Sequence, residues 1–133
     1  MSEEKKIKVV LLEPGKLART AEIGTSIEDL QNAVDGLIEP FYPFEEQVCI
    51  VCNDEGKING MLPNRSVKNK DGVMVDFIFG LAFICDCRGE SFDSLSDEQI
   101  ARYTKMFRYP EHLARLNGKL IGIPFNPQRE HER

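Results

Sequence analysis

Residues 73–85, running from Val73 through Phe77 and Phe79 to Cys85, form an apolar stretch too long for one ordinary strand, whose common length is about 5–6 residues. The stretch also falls well short of the roughly 20 apolar residues needed to span a bilayer. Gly80 interrupts it and marks a bulge or kink. The segments before it carry the same stamp. Lys6 to Glu13 is rich in branched residues and reads as a strand. Pro14-Gly15-Lys16 reads as a turn, and Leu17 to Ile23 as the returning strand. Leu37 to Tyr42 reads as an edge strand, because Pro40 has no N–H to give to a ladder. Val48 to Asn53 reads as a central strand, followed by a turn at 54–56 and a return over Lys57 to Leu62.

Two segments carry helical spacing. Ile27, Leu30, Val34 and Leu37 place one apolar face on a short helix over 27–35. Thr25 and Ser26 are its cap candidates, with Glu28 at capping-box distance from Thr25, and Gly36 is its stop. Ile100, Tyr103 and Phe107 predict a second helix after Ser94 and Ser96, ended by Pro110. Glu111 to Leu116 is expected to add one or two helical turns, closed by Asn117-Gly118. The order predicts an α+β fold: a mostly antiparallel sheet of about six strands, one central helix and a C-terminal helical segment, with the helices on one side. Residues 1–118 form a single domain in this reading. Residues 119–133 form a docking segment, with Leu120, Ile121 and Ile123, and a polar tail.

Charge narrows the function classes. The chain has 133 residues, 41% hydrophobic and 29% charged, and a net charge of -5, which fits a folded soluble protein. Residues 1–55 hold 5 Lys/Arg against 12 Asp/Glu. A nucleic-acid binder must neutralise phosphates with Lys and Arg, so nucleic acid is not an expected partner. Residues 56–80 reverse the balance locally with Lys57, Arg65, Lys68 and Lys70. Met1-Ser2-Glu3-Glu4 is not followed by the apolar run of a secretion leader. No membrane partner and a cytoplasmic location are therefore expected.

No catalytic signature appears. His112 and His131 are the only histidines, and no G-x-S-x-G, Walker A or G-x-G-x-x-G motif accompanies them. Cys49, Cys52, Cys85 and Cys87 have spacings that invite zinc. However, Cys49 and Cys52 sit three apart on a strand, so they face opposite ways. Buried reduced thiols are the expected state. Neither a metal nor a cofactor is predicted, and no catalytic residue is assigned.

One segment concentrates directional donors. Asn53, Asn59, Asn64 and Arg65 gather at strand ends and in a polar loop running from Pro63 to Gly72. Amides and a guanidinium fork could hold a phosphate, a carboxylate or a nucleobase edge. Turn chemistry accounts for Asn-Gly and Pro-Asn but does not require Arg65. Tyr42, Phe44, Phe77 and Phe79 could stack on a flat ligand, though such residues are more often core, and Tyr42 is the one assigned to the site.

Several short motifs recur together: Val10 to Lys16 with its Glu-Pro-Gly-Lys turn, Leu30-Gln31, Tyr42-Pro43-Phe44, Val51 to Lys57 with Cys-Asn-Asp-Glu-Gly-Lys, Asn59-Gly60, Leu62 to Arg65, and Leu95 to Gln99. In this order and spacing the chain resembles an uncharacterised family, a domain of unknown function carried by phages, plasmids and integrative elements of bacteria. The likeness covers about residues 7–108. It implies a small accessory protein of a mobile element, acting in the bacterial host cell, and it brings no agreed catalytic residues. The leading expectation is a non-catalytic protein that antagonises host defence by sequestering a small anionic, nucleotide-derived ligand. Arg65, Asn64, Asn59, Asn53 and Tyr42 would form its site. Alternatives are an acidic protein that inhibits a host nuclease or restriction system, and a small hydrolase. A host defence protein is the alternative partner. A homo-oligomer is also expected, because residues 73–85 and the Pro40 edge leave surfaces to cover.

Overall fold

The computed structural model describes residues 5–56 and 59–130. Strands β1 (Lys6–Leu12) and β2 (Arg19–Gly24) form the expected antiparallel hairpin. Gly15 takes φ +74°, as its turn requires. Helix α1 (Ile27–Val34) starts at Ser26, whose Oγ accepts the Asp29 N–H at 3.1 Å. The box built on Thr25 does not form. The Thr25 hydroxyl donates instead to the Lys5 carbonyl. Then come β3 (Ile38–Phe41), β4 (Val48–Asn53), β5 (Pro63–Lys68), β6 (Met74–Phe79) and β7 (Ala82–Asp86). Helix α2 (Asp97–Met106) carries a complete capping box, with Ser96 and Gln99 serving each other's backbone. Strands β8 (Glu111–Leu116) and β9 (Lys119–Pro124) and the short helix α3 (Pro127–Glu130) finish the described chain.

The fold is α+β, with antiparallel pairing throughout. The main sheet has the order β2-β1-β7-β4-β3, and β5–β6 and β8–β9 form two separate two-stranded sheets. β3, with Pro40, lies at an edge of the main sheet as expected. The helices, however, take opposite sides. Ile7, Val9, Cys49, Val51, Phe83 and Cys85 pack with Leu30 and Val34 of α1. Val10, Leu12, Val48, Ile50, Ala82 and Ile84 pack on the other side with Tyr103 of α2, its cap residue Phe107, and Val67 and Ile78 of the β5–β6 pair. The central strands explain this. β7 is buried at every position, and β4 at all but Cys52. Strands that are apolar on both faces need a cover on each.

Three further expectations are corrected. The polar loop expected from Pro63 is strand β5, with Asn64, Arg65, Ser66 and Val67 all buried. Of the expected return strand over 57–62, Lys57 and Ile58 lie outside the described residues, and Asn59 and Gly60 are in a turn. Gly80 is a corner rather than a bulge. At φ +78° it donates to Leu62 O, and the chain passes there from β6 to β7 in the main sheet.

The helical turns expected over 111–116 are strand β8. Asn117 and Gly118, at φ 51° and 80°, make the two-residue turn into β9, the arrangement Asn-Gly favours in hairpins. Residue 118 thus lies in a turn, and 119–124, expected as a docking segment, forms a strand. His131 and the end of the tail lie outside the described residues.

The double-faced sheet predicts a sharp contrast between two truncations. Ile84→Ala, at the centre of β7, should cost about 3 kcal/mol in urea unfolding. Val75→Ala, at an exposed position of β6, should cost no more than about 0.5 kcal/mol.

Candidate functional site

Arg65 is 1% exposed. Its Nε donates to the Tyr109 carbonyl at 3.2 Å, its Nη1 to the Glu13 carbonyl at 3.3 Å, and its Nη2 to the Lys16 carbonyl at 2.6 Å. Nη1 also donates to the side-chain oxygen of Asn64. The register irregularity between Pro63 and Arg65 in the β5–β6 ladder accompanies this burial of two successive side chains. Asn64, wholly buried, donates through Nδ2 to Leu12 O at 3.0 Å and Gly80 O at 2.8 Å. Burial lowers the guanidinium pKa to about 10, with Glu111 and Glu13 pulling the other way. Arg65 therefore stays charged at neutral pH. The expectation that it grips a ligand from a loop is corrected: its donors face internal oxygens and staple β5 to the β1–β2 turn and to the segment leaving α2.

The other expected site residues do not converge on it. The Asn53 amide donates to Val34 O and Asp35 O, closing the end of α1, and accepts from the Glu55 N–H. A Cβ at Gly36 would lie 2.4 Å from that amide, which is why a glycine stands there. Asn59 is exposed and reaches Glu55. Tyr42 is 63% exposed at the end of β3. Of the five, only Arg65 lines the main hollow. Cys49 and Cys52 do face opposite sides of the sheet, since they belong to different sides of its packing. Among the described residues no grouping of three metal-ligating side chains occurs. His112 lies on β8 and stacks on Phe125 at 4.0 Å.

The hollow itself, of about 840 Å³, opens between α2, the loop before β4 and the β5–β6 pair. Phe44, Tyr103 and Phe107 supply its aromatic surface, the Phe44 and Tyr103 rings lying 4.7 Å apart. Lys68, Lys70 and Arg102 bring cations to it, and Glu45, Glu46 and Glu111 bring carboxylates. Glu111, from β8, accepts the Ser66 N–H at 3.0 Å. Gly122 makes room for it, since a Cβ there would lie 1.9 Å from the carboxylate.

The sequence singles out Lys68 and Lys70 but carries no local signal for the part that Glu46 plays. Glu46 binds the loop to α2, accepting from Gln99, Arg102 and the Tyr103 hydroxyl at 2.8–3.1 Å. Burial works to raise the Glu46 carboxyl, but those hydrogen bonds outweigh it and hold the pKa low. Burial and then Glu46 push Tyr103 up to about 12. The acidic residues do not gather on one face. Glu28 and Asp29 begin α1 while Asp97 and Glu98 begin α2, on the opposite side of the sheet.

Two outcomes follow. Arg65→Lys keeps the charge but not the fork, and should cost about 3 kcal/mol in urea unfolding. Glu46 has a lowered folded pKa, so its contribution is full above the unfolded carboxylate value of 4.5 and is lost as pH falls through the folded one. The Tm of the wild-type chain should drop across that acid range, and Glu46→Gln should flatten the drop.

No curated protein and no solved structure matches the chain. Residues 7–108 match the family model described as a domain of unknown function (DUF3846). Apart from Lys6, that span holds every element from β1 to α2, together with all the residues of the hollow except Tyr109 and Glu111, and the chain belongs to this family.

Proposed function

We propose that the protein is a non-catalytic binding protein that captures a small anionic, ring-bearing ligand of the nucleotide class in the hollow beside α2. The observation that carries this reading is the meeting of Lys68, Lys70 and Arg102 around the aromatic surface of Phe44, Tyr103 and Phe107, in a volume of about 840 Å³. Small-molecule sites commonly run from about 300 to 1,000 Å³ and combine apolar walls with a few directional polar groups. Flat rings find stacking partners there, and the cations meet the negative charge.

Arg65 takes a different part from the one expected of it. It stands in the wall as a fixed positive charge, its donors held by internal oxygens, while the exposed lysines make contact. Lys70 meets Glu45 at 3.7 Å with both side chains largely exposed. Such a pair is weak, so a phosphate displaces the carboxylate at small cost. Arg102 is held more firmly by Glu46 and offers its remaining donors. In a protein of a mobile element, as the family resemblance implies, sequestering such a ligand would deprive a host defence of its signal.

Calorimetry with a panel of mono- and cyclic nucleotides tests the reading. A Lys68→Glu, Lys70→Glu double variant should weaken binding by at least about tenfold, since a hydrogen bond between charged partners is worth roughly 1.5–3 kcal/mol. An absence of heat across the panel with folded protein would overturn the proposal, as would affinity indifferent to the double reversal.

A further inference from the structure

Away from the hollow, three thiols share the α1 side of the main sheet. Cys49 of β4 and Cys85 of β7 are direct cross-strand partners. Both are fully buried, and their Sγ atoms lie 3.7 Å apart. Cys87 stands two residues beyond Cys85 and packs against the same cluster. It is only partly buried. Cys52 is excluded from the group, since it packs on the other side and donates to the Glu39 carbonyl. None of the four cysteines is in a disulfide.

We propose that Cys49 and Cys85 are a redox modification site, a dithiol that closes into a cross-strand disulfide with Cys87 as its point of entry. The geometry is favourable. Directly opposed residues of an antiparallel pair have Cα atoms about 4.5–5.5 Å apart, inside the range a disulfide spans. Bond formation therefore asks for side-chain rotation and a small approach of the sulfurs, with the ladder kept.

The two buried sulfurs are closed to a bulky oxidant, and Cys87 supplies the route. With glutathione disulfide as oxidant, the Cys87 thiolate attacks one sulfur and expels a glutathione thiolate. Cys49 then attacks the Cys87 sulfur, forming a Cys49–Cys87 bond and expelling the second glutathione. Cys85 attacks the Cys49 sulfur, which forms the Cys49–Cys85 disulfide and returns Cys87 as a thiol. Two thiols have lost two electrons and two protons, and one glutathione disulfide has become two glutathiones. Burial holds the Cys87 thiol up to about 11, so entry is the slow step, as thiolate supply governs such exchange. Hydrogen bonding with Cys85 lowers the Cys49 thiol against its burial, which favours the second attack. Intracellular disulfides of this kind are typically reversible and redox-sensing.

The test uses the full chain under native conditions, treated with glutathione disulfide. Thiol titration should fall from four free thiols to two, intact mass should drop by two hydrogens, and peptide mapping should join Cys49 to Cys85. Cys52→Ser should close at the wild-type rate. Cys87→Ser should close more slowly by about tenfold or more, and Cys49→Ser should stop at a glutathione adduct on Cys87. Four persistent thiols, a stable glutathione adduct on the wild-type chain, or a bond involving Cys52 would overturn the site. Wild-type speed in Cys87→Ser would overturn the relay.

Discussion

The buried guanidinium of Arg65 is the interaction on which the arrangement of this molecule depends. Three backbone carbonyls, from Glu13, Lys16 and Tyr109, point at it from two parts of the chain. Without it the part-buried Lys16 and Tyr109 carbonyls would lose this donor, and the Glu13 carbonyl would keep only the Lys16 N–H. Asn64 extends the same work by reaching Leu12 and Gly80, so β5 is tied both to the first strand and to the corner leading into β7. A planar cation with five fixed donors can serve several carbonyls at once, which a lysine cannot. The β5–β6 pair does not belong to the main sheet's ladder, and these polar ties, with Val67 and Ile78 in the core, seat it there.

That seating creates the hollow. Because β5 is pinned, Lys68, Asn69 and Lys70 are carried past the end of the strand to a position opposite α2. Glu46 holds the remaining wall by accepting from three residues of α2. The hairpin β8–β9 lies outside the span matched by the family, yet its first residue, Glu111, binds β5 and faces the hollow. The family core thus supplies most of the site, and this chain's own C-terminal hairpin places a carboxylate within it.

Much of the fold was legible in the sequence because its signals are local. The β1–β2 turn, the α1 pattern, the Pro40 edge and the Ser96 cap of α2 all lie within a few residues of what they determine. What stayed illegible depends on distant partners. Asn64-Arg65 reads as loop because Arg is rarely buried, and the carbonyls that permit its burial come from residues 13, 16 and 109. Glu111-His112-Leu113-Ala114-Arg115-Leu116 contains good helix formers, and packing against β5 overrides that preference. The turn signal was present in Asn117-Gly118, since the same pair that stops a helix also makes a hairpin. The hollow was the least legible feature, being assembled from a loop, a helix and a strand that are far apart in the chain.

The strand order has a consequence for how the chain comes together. β7 lies between β1 and β4, and those two do not pair with each other. During synthesis the first half can build only separate hairpins, each with a bare flank waiting for a strand encoded far downstream. The sheet becomes continuous in a single late event, when Ala82–Asp86 slides into the gap. Such distant pairing makes for slow, all-or-none assembly, and a nascent chain halted before that strand would expose adhesive edges to its neighbours.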